Sequence, residues 1–169
     1  EGWRKHPELV LEFYNERRAK AAEAQPNAAH RVLAELESHY DVVIVTQNVD
    51  DLHERAGSTQ VIHLHGELAW ARGTSPRRLR RDMGAAPIRI GDLCEDGTQL
   101  RPDIVWFGES VPLLEVAAEH VAEADKALCA LEIERLPQGY ELLRGPATEH
   151  VPPLVRRWLR AAPSKDVRD

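Results

Sequence analysis

The chain of 169 residues is 43% hydrophobic and 30% charged, which is enough apolar sequence for one sizeable core. Its formal net charge of -6 argues against a non-specific nucleic-acid binder, and no apolar run reaches the roughly 20 residues that span a bilayer. We therefore expect a cytoplasmic globular protein without direct nucleic-acid or membrane binding. The two cysteines, Cys94 and Cys129, are expected to be reduced thiols.

The first third of the chain predicts two helices and a buried strand. Residues 7–18 place apolar side chains at helical spacing behind a proline, and Asn27 can cap a second helix that reaches about Tyr40. The β-branched run at 41–46 is typical of a parallel strand that is buried on both faces. It leads into the polar segment 47–50, at the position where open α/β sheets bind ligands.

The rest of the chain alternates between strands and helices around one irregular stretch. Residues 61–65 predict a second strand that Gly66 stops, and 69–101 predict a small irregular insert whose arginines read most simply as a solvated surface. The later predicted elements are a strand at 103–108, a helix at 111–124, a strand at 127–133 and a helix at 151–162.

This order of elements predicts an α/β fold, with a Rossmann-like parallel sheet, helices on both faces and the small insert. The expected division is a first part of the Rossmann-like domain at 1–68, the insert at 69–101 and the remainder of the domain at 102–169.

Two groups of residues have the chemistry of a site. Gln47–Asp50 would offer amide and carboxylate groups to a ligand, although Asn and Asp also favour ordinary turns. His63 and His65 alternate along the predicted strand, where a histidine is often structural. Neither histidine has a cysteine or carboxylate at a familiar zinc spacing, so no metal site is expected.

Three motifs occur together in one order: Thr46–Gly57, His63–Leu68 and Leu100–Glu109. In this order they resemble the sirtuin family of NAD-dependent protein deacylases. The segment Phe13–Arg18 is similar to the part of bacterial sirtuins that selects acidic acyl groups.

The resemblance implies a catalytic role for His65, the histidine directly before the glycine, and a structural role for His63. In that mechanism nicotinamide leaves NAD, the acyl oxygen of a modified lysine attacks the anomeric carbon, and His65 takes a proton from a ribose hydroxyl. Histidine suits this task because it titrates near neutral pH. The residues implied to bind NAD, as a co-substrate, are Gln47, Asn48, Val49, Asp50 and Ala147.

The resemblance also implies how an acylated lysine of a protein substrate binds. An extended peptide would add as a strand to the edge formed by Val105, Trp106, Phe107, Gly108 and Glu109. Tyr14 and Arg17, neighbours on one helical face, would clamp the carboxylate of a succinyl or malonyl group. The simpler alternative is that Arg17 is solvated and Tyr14 packs.

The chain departs from the family pattern at the NAD site. The Gly-rich phosphate turn and the Arg-containing loop after it are not found before the first helix, and the Gly-Thr-Ser turn is not found after Asp125. The N-terminal part and an internal segment of the Rossmann-like domain are therefore expected to be missing. The insert lacks paired cysteines, so no structural zinc is expected.

The leading prediction is an NAD-dependent protein-lysine deacylase, acting as a deacetylase, desuccinylase or demalonylase, that transfers the acyl group to ADP-ribose. One alternative is an NAD hydrolase or ADP-ribosyltransferase using the same pocket. A second is an inactive module that binds acyl-lysine peptides without NAD.

Overall fold

The computed structural model describes residues 2–128 and 145–162. The chain divides into two compact units. Unit 1 comprises Glu1–Gln25, Val45–Leu52 and Ile62–Glu115, and unit 2 comprises Pro26–Ile44, His53–Val61 and Val116–Asp169. The three segments expected from sequence cut the chain differently and stay a prediction. The predicted strand at 127–133 lies mostly outside the described residues, as does Cys129.

Unit 1 begins with a short helix α1, Gly2–Lys5, and the long helix α2, Pro7–Glu23. Pro7 occupies the first helical position, where its missing N–H costs no intrahelical hydrogen bond. The predicted start of this helix is therefore confirmed, and the helix continues one turn beyond the predicted end. It presents Leu11 and Arg18 as its buried side chains.

The supposedly irregular insert holds most of a three-stranded antiparallel sheet, so that prediction was wrong. Strands β3 (Gly66–Gly73), β4 (Arg80–Asp82) and β5 (Leu100–Ile104) pair in the order β4-β3-β5. The alternation of apolar residues is hidden because two of the buried strand positions are arginines, Arg72 and Arg101. Strand β5 also ends at Ile104 rather than continuing to Gly108.

The core of unit 1 lies between α2 and this sheet. Its buried members come from the helix, the sheet and the loops of the insert: Leu11, Ala71, Ile88, Cys94 and Leu100. Cys94 is a free thiol whose sulfur packs as a small apolar group. The insert thus contributes four of the five buried members of this core.

Strands β1 (Ile44–Thr46) and β2 (Val61–His63) pair in a short two-stranded parallel sheet. Within unit 2 the Ile44 N–H donates to the Gln60 carbonyl, and within unit 1 the Leu64 N–H donates to the Thr46 carbonyl. Both partners advance in the same direction, so the strands are parallel. Both strands are shorter than the predicted 41–46 and 61–65 because pairing covers only these residues.

Unit 2 packs two helices, α3 (Ala28–Leu36) and α6 (Ala147–Ala161), through apolar side chains. Asn27 caps α3 as predicted, since its side chain accepts from the Ala29 and His30 N–H groups. The buried members of the contact are Ala29, Val32, Leu36, Val151 and Val155.

Two further helices complete the described elements. Helix α4, Leu52–Ala56, follows β1, and helix α5, Leu114–Glu123, begins three residues later than predicted. Helix α6 begins four residues before the predicted Val151. Across the described ranges, no helix combines the length and the apolar character that crossing a bilayer requires.

Candidate active site

A cavity of about 390 Å³ in unit 1 gathers most of the predicted site residues. Its lining comes from α2, from the segment after β1, and from the start and end of the sheet. The lining residues are Phe13, Tyr14, Arg17, Gln47, Asn48, Val49, Asp50, His65, Ile104 and Val105. A volume of this size is in the range of small-molecule sites.

His65 lies in the turn between β2 and β3, rather than on a strand as predicted. Gly66 does not stop a strand but opens β3, with φ at +83°. A Cβ at Gly66 would lie 1.9 Å from the Asp103 carbonyl oxygen, so no other residue fits. The Val105 N–H donates to the His65 carbonyl at 2.9 Å. The backbone on both sides of His65 is therefore fixed, while its half-buried imidazole faces the cavity.

His63 is placed differently from His65. It is 7% exposed, and its Nδ1 donates to the Asn48 carbonyl at 3.1 Å. This contact joins β2 to the segment after β1 and supports the structural role predicted for His63. Of the two histidines, only His65 lines the cavity.

The segment Gln47–Asp50 is held in shape by hydrogen bonds that leave the Gln47 and Asn48 side chains available. The Asn48 N–H donates to the Thr46 hydroxyl, and the Leu68 N–H donates to the Val49 carbonyl at 2.7 Å. Asp50 accepts from the Leu52 N–H at the start of α4. The amides of Gln47 and Asn48 are exposed at the cavity.

Tyr14 and Arg17 reach the same cavity from one face of α2. The Arg17 guanidinium lies 5.6 Å from the Phe13 ring centroid, and no carboxylate among the described residues pairs with it. An exposed cation that no described carboxylate neutralises therefore lines the same cavity as Tyr14. The predicted acyl clamp stays a prediction, now with both members at one cavity.

The predicted peptide edge, Val105–Glu109, is not a strand. Residues 106–109 form a turn closed by the Glu109 N–H, which donates to the Trp106 carbonyl at 2.9 Å. Gly108 has φ at +87°, and Phe107 is fully exposed. Val105 lines the cavity, but Trp106, Phe107, Gly108 and Glu109 do not. Their contact with a peptide stays a prediction.

The side chain of Glu109 belongs to a network of charges instead of facing a ligand. Arg101 Nη1 donates to it at 2.6 Å, the Trp106 N–H donates at 3.0 Å, and Arg72 Nη2 lies 3.3 Å away. Burial raises the pKa of the Glu109 carboxyl. These hydrogen bonds and the charges of Arg101 and Arg72 outweigh burial, so the pKa falls below its ordinary value.

Arg72 completes this network from β3. Its Nε lies 3.3 Å from an Asp103 oxygen, an ion-pair distance without hydrogen-bond geometry. Burial lowers the pKa of Arg72, as do the charges of Arg101 and Arg78, whereas Glu109 and Asp103 raise it. The turn after β5 is thus fixed by paired charges at the sheet.

Two residues that the sequence did not single out hold α2 against the sheet. Arg18 is 2% exposed, and its Nε donates to the Leu68 carbonyl at 2.6 Å. Asn15 exchanges two 2.9 Å hydrogen bonds with the backbone of Ile88. Because they lie beside Tyr14 and Arg17 on the same helix, they fix the position of those side chains. Their polar character gave no signal of burial.

Two predictions concern groups outside this cavity. Ala147 begins α6 in unit 2 and is exposed, and its contact with NAD stays a prediction. Among residues 2–128 and 145–162, no cluster of three His, Cys, Asp or Glu side chains could hold a metal ion.

The arrangement of these motifs corresponds to a known family. A family model described as the Sir2 family matches residues 1–131. The chain belongs to the Sir2 family. This confirms the predicted membership of the sirtuins.

Relatives in the Sir2 family support the assignment. An NAD-dependent protein deacylase from Helicobacter pylori is 56% identical over 123 residues, 73% of this chain and 53% of that relative. A structure of a mutant Sir2 homologue with ADP ribose has a TM-score of 0.79 at 36% identity, covering 94% of this chain and 77% of that one. The predicted Rossmann-like α/β fold is thereby confirmed.

A second Sir2 structure is bound to an acetylated peptide. It has a TM-score of 0.59 at 31% identity, covering 72% of this chain and 52% of that one. The chain spans about half the length of the first curated relatives that it matches.

Proposed function

We propose that this protein is an NAD-dependent protein-lysine deacylase that prefers acidic acyl groups. One observation carries the proposal: a single cavity joins a histidine in a rigid turn, a polar amide and carboxylate segment, a tyrosine, and an arginine that no described carboxylate neutralises. Sir2 relatives named deacylases, and Sir2 structures with ADP ribose or an acetylated peptide, support the same activity.

The polar segment 47–50 carries side chains whose hydrogen-bonding groups match those of NAD. Gln47 and Asn48 offer amides that match the carboxamide of nicotinamide, and Asp50 offers an acceptor for ribose hydroxyls. When bound, NAD supplies the electrophilic ribose carbon that receives the acyl group as nicotinamide leaves. His65 lines the cavity, none of the described residues hydrogen-bonds to its imidazole, and it would accept a ribose hydroxyl proton there.

The preference for acidic acyl groups is proposed from Tyr14 and Arg17. A guanidinium can bind a terminal carboxylate through two parallel N–H groups, and the phenol can add a third hydrogen bond. An acetyl group has no carboxylate for this pair. Arg17 suits this role because its charge has no partner among the described residues.

Mass spectrometry of the chain with NAD and a succinyl-lysine peptide tests the activity. We expect unmodified peptide and acyl-ADP-ribose, and His65→Ala should lower turnover by about 10²- to 10⁴-fold, with peptide affinity unchanged. His39→Ala, an exposed histidine of unit 2, is the matched control. Full turnover by His65→Ala would refute the assignment of the base.

The same assay separates the competing functions. Release of nicotinamide without any acylated peptide would identify an NAD hydrolase or transferase. Peptide binding that ignores NAD, with no products, would identify a binding module. Arg17→Met should weaken desuccinylation by about 10- to 100-fold and leave deacetylation unchanged, whereas Lys20→Met on the same helix should alter neither.

A further inference from the structure

A hydrogen bond between two residues far apart in sequence determines which way the Tyr14 hydroxyl can act. The Trp106 indole Nε1 lies 2.9 Å from the Tyr14 hydroxyl oxygen. An indole N–H can only donate, so the Tyr14 oxygen is the acceptor in this contact. The Tyr14 proton is then left to point elsewhere, and no acceptor among the described residues contacts it.

The indole is held so that its N–H has one direction. The Arg101 guanidinium carbon lies 3.3 Å from the Trp106 ring centroid, over one face of the ring. The centroid of the Trp3 ring lies 5.6 Å from the centroid of the Trp106 ring. The Trp106 backbone N–H donates to Glu109 at 3.0 Å. Arg101 itself is 6% exposed and is bound to Glu109 and to the Ile104 carbonyl. A ring fixed at this many points loses little entropy when it donates to Tyr14.

The charge on Arg101 also strengthens this donor. A cation over an aromatic ring draws the ring electrons toward itself, so the indole N–H becomes more polar. A hydroxyl that accepts a stronger hydrogen bond becomes a better donor in turn, because hydrogen bonds in a chain polarise one another. The chain from Arg101 through Trp106 to Tyr14 thus makes the Tyr14 proton more attractive to an anion.

We propose that Trp106 is a specificity-determining positioning residue: its indole N–H occupies the Tyr14 oxygen and directs the Tyr14 proton toward the carboxylate of an acidic acyl-lysine. This inference rests on the proposed function. Arg17 lines the same cavity and supplies the opposite charge for the same carboxylate. Since an acetyl group lacks that acceptor, the effect of the Trp106 indole N–H is confined to acidic acyl groups.

Binding of two peptides to the full chain tests this inference without requiring turnover. The probes are one peptide carrying succinyl-lysine and the same peptide carrying acetyl-lysine, measured by titration calorimetry. Trp106→Phe keeps the aromatic ring beside Arg101 but removes the N–H. We expect it to weaken succinyl-peptide binding about tenfold and to leave acetyl-peptide binding within twofold.

A double-variant cycle distinguishes this role from general packing. Tyr14→Phe should weaken succinyl-peptide binding by a similar factor, and Trp106→Phe added to Tyr14→Phe should cause no further loss. Trp70→Phe is the matched control, because Trp70 also stacks on an arginine, Arg80, but does not donate to Tyr14. It should leave both affinities unchanged.

The outcomes separate this inference from the proposed function. A wild-type chain without preference for the succinyl peptide would overturn both. A wild-type preference that survives in Trp106→Phe, or equal losses for both peptides, would overturn the role of Trp106 alone. Additive losses in the double variant would likewise overturn it, since they would show that Trp106 does not act through Tyr14.

Discussion

The two units bury different kinds of side chain. In unit 2, the contact between α3 and α6 is apolar at its centre, and Tyr40 adds one hydrogen bond to the Trp158 carbonyl. In unit 1, three arginines are less than 8% exposed: Arg18, Arg72 and Arg101. Each is bound to carbonyls or carboxylates of the described residues.

This difference follows from what each contact has to specify. Apolar packing tolerates small shifts, because dispersion and burial have little directional preference. Hydrogen bonds to a guanidinium fix both distance and angle. The buried arginines of unit 1 lie next to the candidate site, where Arg18 fixes α2 and Arg101 fixes the turn after β5. We infer that their value is positional, since buried ion pairs add little net stability.

The largest predicted effect concerns the backbone beside His65. Gly66→Ala would place a Cβ against the Asp103 carbonyl at a positive φ, and it should destabilise the fold by at least about 3 kcal/mol. Urea unfolding followed by circular dichroism measures this loss. The control is Gly97→Ala, which has φ at +77° but no atom within 4 Å of the added Cβ, so about 1 kcal/mol is expected. Equal losses of stability in the two variants would show that the close contact with the Asp103 carbonyl is not what destabilises Gly66→Ala.

A smaller effect should distinguish buried from exposed arginines. Arg101→Met leaves the Glu109 carboxylate with one fewer partner and removes the guanidinium donor from the Pro102 and Ile104 carbonyls, so we expect a loss of roughly 2–3 kcal/mol. Arg80→Met is the control, because the Arg80 side chain is 42% exposed and its two ion pairs should contribute about 1 kcal/mol or less. The same unfolding experiment measures both. A larger loss of stability in Arg80→Met than in Arg101→Met would contradict the expectation that the buried arginine matters more to the fold.

The smallest predicted effect is the change in stability when the pH is lowered. It should be small because solvent still reaches about a third of the Glu109 side chain. The folded-state pKa of Glu109 lies below its ordinary value of 4.5. Its contribution to stability is therefore complete above pH 4.5 and is lost as the pH falls through the lower, folded-state pKa. Glu109→Gln should be less stable than the wild type at neutral pH, and the difference should shrink below pH 4.5. Glu12→Gln, an exposed change on α2, should show no such convergence.

Local features of the fold were predictable from sequence. Pro7 and Asn27 mark helix starts through interactions within three residues, and both were placed correctly. The insert was misjudged because buried Arg72 and Arg101 interrupt the apolar alternation that identifies strands. The turn at His65 was read as strand because Leu64 continues the apolar pattern, while Gly66 was read as a stop and not as a residue that must approach Asp103 closely.

The family, the types of reactive group and the helix starts that depend on neighbouring residues follow from the sequence alone. Packing in three dimensions was needed to show that Arg18 and Arg101 are buried, that Tyr14 meets Trp106 across 92 positions, and that His65 shares a cavity with Arg17. The two kinds of feature differ in the range of the interactions behind them. Caps and turns act within a few residues, whereas burial and a directed hydrogen bond depend on which distant segments pack together.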